Sequence, residues 1–304
     1  MRNSIVSSLL LLTAACSLTA APKPAHVIII SIDGAKPAVL KTAEAPTLMK
    51  MAAEGAATWE ASTIFPSKTL PSHTSMLTGV GPDKHQVLWN DYSPIRGLVK
   101  PPTIFNLLRA KDPTAITALF AGKVKFRHLW QRDTLTLFDF GGPQSAVPVP
   151  GTPEIEKNKI PSQTVAKNAV AWIKQNQPKL TFIHFADVDG AGHKDGWGSP
   201  QQKEAIKVTD QALYQVRRGI EDAGLAPTTT ILVTSDHGGH EKTHGLNIPD
   251  DMLIPWIAWG LGAKKGHTLT QKVTTYDTAA TALWLLDVPI PADFDGKPVT
   301  EAFE

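Results

Sequence analysis

A chain of 304 residues, 42% of them hydrophobic, can bury a large α/β core. Its formal charge of +2, from 30 Lys plus Arg against 28 Asp plus Glu, excludes the broad basic face that a nucleic-acid polymer needs, so an anionic ligand must be held by local groups. The single cysteine, Cys16, excludes an internal disulfide, and cleavage after it would leave no thiol ligand either.

Residues 1–21 read as an export signal: Met1-Arg-Asn, an apolar run from Ile5 to Ala15, then small residues to Ala21. The run is too short to span a bilayer, and no later run of about 18 apolar residues follows. Two processing readings stay open. Leu12-Thr-Ala-Ala-Cys16 is similar to a bacterial lipoprotein cleavage box, which would give a lipid anchor at Cys16; plain cleavage near Ala20 would give a free periplasmic or secreted protein. Residues 22–304 are expected to form one α/β domain.

His26 to Asp33 is a nearly continuous β-branched run, the pattern of a strand buried on both faces of a parallel sheet, and Asp33-Gly34 ends it. Pro46 to Gly55 predicts a helix with Pro early and Gly at its end. Ala56 to Ile64 leads by a short strand into Phe65-Pro-Ser-Lys-Thr-Leu-Pro-Ser-His-Thr-Ser-Met-Leu-Thr-Gly79. There Thr69 falls near a helix N-cap, where unpaired N–H groups and the helix dipole favour an anion; alone, the residue reads equally as an ordinary cap. Trp89, Asn90 and Tyr92 follow in a loop that can reach the same place, and Trp89 and Tyr92 fit either stacking on a ligand or rim packing. Thr103 to Ala110 predicts a helix and Ala115 to Ala121 a strand. Residues 141–161 read as a surface excursion. Ser162 is expected to cap the next helix, which Pro178 closes.

Leu180 to Asp187 is another buried strand, running into Asp189-Gly-Ala-Gly-His193, whose glycines predict a tight turn that converges a carboxylate and an imidazole. A helix from about Pro200 to Gly224 follows. Thr229 to Gly238 repeats the first design, a buried strand and then Asp236-His237, with His240 and His244 behind. Ile254 to Gly260 is a further strand, with Trp256 and Trp259 expected in the core, and Asp277 is expected to cap a last helix to Leu286. Alternating strands and helices predict a three-layer α/β/α sandwich with a mostly parallel central sheet.

Asp33, Thr69, Asp189, His193, Asp236, His237 and His244 all follow strands or open a helix, and in a parallel sheet those points share one edge. Three carboxylates and three imidazoles gathered there repel, or are costly to desolvate, unless cations neutralise them. Mixed Asp and His donors suit two Zn²⁺, with Mn²⁺ or another divalent ion as the alternative. Two such ions can clamp the entering and leaving oxygens of a phosphoryl displacement, with Thr69 as nucleophile.

These residues carry a resemblance. Ile32-Asp-Gly34, Lys68-Thr-Leu-Pro-Ser-His73 with Leu77-Thr-Gly79, Asp189-Gly-Ala-Gly-His193, Ser235-Asp-His-Gly238 and Thr243-His-Gly245, in that order, resemble the alkaline phosphatase superfamily and within it the nucleotide pyrophosphatase/phosphodiesterase branch. The resemblance implies a transiently phosphorylated Thr69, one zinc held by Asp189, His193 and His244, and another by Asp33, Asp236, His237 and Thr69. It also implies a small phosphate ester or nucleotide as substrate. Two departures bear on preference. Ser72 stands where many of these diesterases carry an Asn that binds a phosphate oxygen, so that role would fall to Ser72, shared with Asn90; His85-Gln86 stands where His-Gly is usual. The expected function is thus a phosphodiesterase or nucleotide pyrophosphatase, with a phosphomonoesterase on the same site as runner-up and a non-catalytic phosphate-binding module behind it. Among the other histidines, His73 and His184 read as packing or supporting residues and His240 as an exposed loop residue.

Overall fold

The computed structural model describes residues 23–131, 133–140 and 159–304. The expected export signal, Cys16 and most of the 141–161 excursion lie outside the described residues. Among the described residues no helix is long and apolar enough to cross a membrane.

One eight-stranded sheet organises the chain: β1 (His26–Ile32), β2 (Ala56–Ser62), β3 (Thr117–Ala121), β4 (Leu137–Asp139), β5 (Leu180–Phe185), β6 (Thr229–Thr234), β7 (Leu253–Gly260) and β8 (His267–Thr268), in the order β4-β3-β5-β1-β6-β7-β2-β8. β1 sits between β5 and β6 and is parallel to both. Only β7 runs against its neighbours β6 and β2.

The apolar runs are continuous because both faces of the sheet are covered. Val27 and Ile29 of β1 face one core, with Leu70, Met76 and Leu77 of α2 (Thr69–Thr78), Phe105 of α3 (Ile104–Lys111) and Leu283 of α7 (Asp277–Leu285). Ile28, Ile30 and Ile32 face the other. It is filled by Leu48 and Met51 of α1 (Pro46–Glu54), Val165 and Ile173 of α4 (Ser162–Asn176), and Ile206, Leu213 and Val216 of α6 (Pro200–Asp222). Each fully buried aliphatic side chain of β1 contributes about 2 kcal/mol by leaving water. The three-layer α/β/α expectation therefore holds.

Local chemistry differs from expectation at several helix ends. Ser162 is the first residue of α4 and not its cap; its N–H is met by the Asp187 carboxylate, 2.9 Å away, so a neighbouring strand end does the capping. Asp277 likewise lies inside α7, where its two oxygens accept from Thr274 and Lys297 N–H and tie the closing loop to the helix. Trp256 is in the core, but Trp259 is half-buried on its rim. Asp189-Gly-Ala-Gly-His193 is no tight turn. It forms the middle of helix α5 (Asp187–Asp195), and Asp189 and His193 converge because they are one helical turn apart.

Candidate active site

Four segments end at one rim of the sheet. β1 delivers Asp33, and Gly34 turns the chain away at φ +74°, with its Cα face so close to Asp189 that an added Cβ would lie 3.0 Å from the Asp189 backbone. β5 delivers α5 with Asp189 and His193. β6 delivers Asp236 and His237. The fourth is α2, whose first residue is Thr69, stopped at its far end by Gly79 in the left-handed region.

The three imidazoles are set alike. Nδ1 of His237 donates to Gly238 O (2.8 Å), Nδ1 of His244 to Ser67 O (2.8 Å) and Nδ1 of His193 to Lys242 O (3.0 Å). Each backbone carbonyl fixes the tautomer that leaves an Nε2 lone pair facing inward. His237 Nε2 lies 3.5 Å from Asp33 Oδ1, 3.3 Å from Asp236 Oδ2 and 3.5 Å from Thr69 Oγ1. His193 and His244 Nε2 lie 3.2 and 3.6 Å from Asp189 Oδ1. Asp33 Oδ1, Asp189 Oδ1 and Asp236 Oδ2 are buried and without a hydrogen-bond partner. Three orphaned carboxylate oxygens facing three imidazole lone pairs is the donor set of divalent cations. Asp189, His193 and His244 form one group able to hold an ion; Asp33, His237 and Asp189 form another, with Asp236 beside it.

The remaining oxygens are held from behind. His184, whose Nδ1 accepts from Gly122 N–H, donates through Nε2 to Asp33 Oδ2 at 2.8 Å. Lys123 Nζ lies 2.7 Å from Oδ2 of both Asp33 and Asp189 and 3.4 Å from Thr69 Oγ1. His73 donates to Thr69 O and accepts from Ser31 Oγ, both at 2.7 Å, beneath α2. Trp197 donates to Gly34 O and stands against His193 and His244. A Cβ at Gly192 or Gly239 would strike its ring, which is what those glycines make room for.

Charge follows from these contacts. Burial alone would raise every carboxyl, but Lys123 and the His184 hydrogen bond hold Asp33 well below the usual range, and Lys123, His193 and Lys159 do the same for Asp189. Asp236 gains least: burial and the Asp33 carboxylate push it up to about 7. Burial opposes charge on Lys123 too, yet Asp189 and Asp33 raise its pKa above that of an ordinary lysine. Burial and His237 take His244 down to about 3, leaving it neutral, whereas the Asp189 carboxylate, 3.2 Å from His193 Nε2, raises His193. The rim is short of positive charge at the place where the orphaned oxygens meet.

A cavity of about 180 Å³ opens over Thr69, lined by Asn90, Lys123, Val124, Lys125 and Lys159 together with Asp189, His193 and His244. The larger groove between α4 and α6, about 760 Å³, holds none of these groups.

The structure separates the two expected substrate contacts. Asn90 Oδ1 accepts from Leu70 N–H at 2.8 Å, which leaves its NH₂ to the cavity it lines. Ser72 does not line the cavity. It is fully buried one turn below Thr69, with its Oγ 2.7 Å from Thr63 Oγ1. Asn90→Ala is therefore expected to lower kcat/KM by about tenfold to a hundredfold, the worth of one hydrogen bond to a charged group. Ser72→Ala should act on stability, by about 1 kcal/mol in urea unfolding. A comparable kinetic loss in Ser72→Ala with an unchanged Asn90→Ala would reverse the assignment.

His240 is half-buried and donates through Nδ1 to Asp251 Oδ1 (2.7 Å), away from the groups that meet at the rim. Trp89 and Tyr92 pack against His128. The sequence reading missed Lys123. Its signal was available: Gly122-Lys123 follows β3 as Asp33-Gly34 follows β1, a polar residue at the end of a buried strand.

Against this geometry, comparison with known proteins is specific. The family model for type I phosphodiesterase/nucleotide pyrophosphatase matches residues 27–253. Family member 3 of the ectonucleotide pyrophosphatase/phosphodiesterases from Rattus norvegicus is 25% identical over 227 residues, 70% of this chain and 24% of that protein. The Bos taurus bis(5'-adenosyl)-triphosphatase is 24% identical over 242 residues, of which it contributes 50% of its length. The chain thus spans from about a quarter to half the length of these relatives. Murine ectonucleotide pyrophosphatase/phosphodiesterase 5, an inactive form in complex with AMP, shares the fold at TM-score 0.72 and 15% identity, covering 92% of this chain and 100% of that one. A mutant alkaline phosphatase shares it at TM-score 0.73 and 13% identity, covering 94% and 100%.

Proposed function

The chain belongs to the type I phosphodiesterase/nucleotide pyrophosphatase family, and from that premise we propose that it is an exported hydrolase of phosphoric esters using Thr69 as nucleophile and two divalent metal ions, zinc by the character of its donors. The family's description makes diesters and pyrophosphates of nucleotides the starting substrate class. The observation that carries the reading is the meeting of three orphaned carboxylate oxygens with three Nε2 lone pairs at one rim, where His237 Nε2 lies 3.5 Å from the Thr69 hydroxyl.

Asp189, His193 and His244 would hold one ion; Asp33, Asp236, His237 and the Thr69 hydroxyl would hold the other. Bound there, the ions supply Lewis acidity that lowers the pKa of a hydroxyl or water and offsets charge on phosphoryl oxygens. The chain does the rest. α2 presents Thr69 Oγ1 at the positive end of its dipole. Asn90 and Lys123 line the cavity over Thr69 and would meet the phosphoryl oxygens there. Oγ1 bonds to phosphorus as the bond to the leaving oxygen breaks; water then replaces Oγ1, restoring the threonine and giving retention over two displacements.

Acid quenching during turnover of a slow ester, followed by peptide mass spectrometry, should find the transferred phosphoryl group, with its remaining ester when the substrate is a diester, on the peptide containing Thr69. Phosphate on another residue, or none under conditions of burst kinetics, would remove the covalent step. Mass spectrometry of the mature N-terminus separates lipid attachment at Cys16 from cleavage near Ala20.

A further inference from the structure

We propose that Trp197 is a positioning residue that gives one of the two ion-binding groups, Asp189, His193 and His244, much of its affinity. The inference rests on the two-ion reading of the rim and goes beyond it, since Trp197 supplies no donor and does not line the cavity over Thr69.

The two imidazoles of that group have few contacts of their own. His193 lies in the last turn of α5 with its side chain 43% exposed, and its Nδ1 is held only by Lys242 O. His244 sits on a loop, hydrogen-bonded through Nδ1 to Ser67 O. Trp197 braces both. Its ring centroid lies 5.4 Å from that of His193 at 84° and 5.9 Å from that of His244 at 64°, so both imidazoles meet the indole edge to face. His244 is in turn stacked on His237, with 3.6 Å between centroids, so the indole backs one end of a row of rings.

The indole is itself fixed by separate segments. Its Nε1–H donates to Gly34 O (3.0 Å), beside Asp33. Its backbone N–H donates to Glu241 O (2.7 Å), in the turn closed by the backbone pair of His240 and Thr243. That turn carries Lys242 O, which orients His193, and leads directly into His244. Gly192 and Gly239 leave the ring its space. The nearest atoms that a Cβ would meet at either position all belong to the indole, from 2.8 Å at Gly192 and from 2.2 Å at Gly239. Gly192 lies inside α5, where glycine weakens a helix, so the room it makes for the ring offsets a local cost.

An ion binds most tightly to donors already in place, because a side chain that must be ordered on binding subtracts its lost freedom from the affinity. The other group has no need of such a brace. His237 is fully buried, and Asp33 is held by His184 and Lys123. The indole therefore acts on one ion more than on the other.

Zinc titration of the metal-free protein against a chromophoric chelator tests this. The wild type is expected to take up two equivalents. In Trp197→Ala one equivalent should weaken by about tenfold to a hundredfold, as when a group that orients a ligand is removed, while the other moves by less than about threefold. Trp197→Phe, which keeps a ring without the N–H, should retain most of the affinity. Gly239→Ala should weaken the same equivalent by about tenfold or more in the wild type and no further in Trp197→Ala, where no ring remains to be struck. A role in folding alone would lower the unfolding midpoint of the metal-free protein and leave both affinities in place. Should Trp197→Ala not fold, Trp197→Leu carries the same expectation. Unchanged affinities in these variants, both equivalents weakened alike, or an equal effect of Gly239→Ala in the two backgrounds overturns the inference and leaves the two-ion reading standing. Fewer than two equivalents in the wild type removes that reading, and this inference with it.

Discussion

Thr69→Ala is expected to lower kcat by at least about a thousandfold on every phosphate ester the wild type cleaves, with little change in the fold. The substitution deletes the oxygen proposed to attack and, with it, one donor facing His237 Nε2. Nothing nearby replaces it. His73 is committed to Thr69 O and Ser31, and Ser72 lies a turn below, paired with Thr63. Ser75 and His85 form a neighbouring pair, but His85 Nδ1 accepts from Val87 N–H, so its Nε2 carries the proton and cannot act as a base toward Ser75. Thr69→Ser should recover much of the rate, since it restores an oxygen on the same backbone position. Turnover within tenfold of wild type in the alanine variant would mean that the attacking group is not on α2.

Removing the metal is the second large effect. Chelation should abolish hydrolysis and lower the thermal midpoint, and added zinc should restore both. The physical reason is the charge deficit at the rim. Without cations, Lys123, with Lys159 beside Asp189, faces three buried carboxylates, and burial and the Asp33 carboxylate push Asp236 up to about 7. Ions that bind only the folded chain add about 4 kcal/mol at a free concentration a thousand times Kd. For a chain of this size that corresponds to about 6 °C in the midpoint. Calorimetry with and without chelator, beside elemental analysis of the purified protein, checks this. Fewer than about one equivalent of metal in fully active protein, with an unmoved midpoint, would count against the two-ion reading.

Much of this rim was legible because the signal was physical and repeated. A run of buried β-branched residues must end where both covering layers end, and a carboxylate placed there has few neutral explanations. Asp33, Asp189 and Asp236-His237 were found that way. Their joint placement was readable because a mostly parallel sheet puts such ends on one side. What was not legible depended on contacts between distant segments. Asn90 reaches Leu70 N–H from a loop with no period. Ser72 looked like a site residue by motif, but a helix carries it one turn below the rim, into the core. The glycines around Asp189 and His193 suggested a turn, whereas their function is to let Trp197 and Lys159 approach a helix. β4 went unseen because three residues on a sheet edge leave no pattern. The cap of α4 was misread because the Asp187 carboxylate, from another segment, meets its first N–H; that of α7 was misread because Asp277 lies inside the helix and its carboxylate accepts from Thr274 and Lys297 N–H instead.

The single reversed strand has a mechanical consequence. Because β7 returns beside β6 without a crossover helix, the link from Ser235 to Met252 that carries His237 and His244 is anchored to adjacent strands at both ends. It is also pinned midway, where Asp251 accepts from Leu246 N–H and bonds His240. A segment tethered in this way cannot swing as a hinged flap. Compliance is left to the opposite bank, where long lysine stems can bend, so ligand traffic is governed there by side-chain motion while the imidazole bank stays stiff.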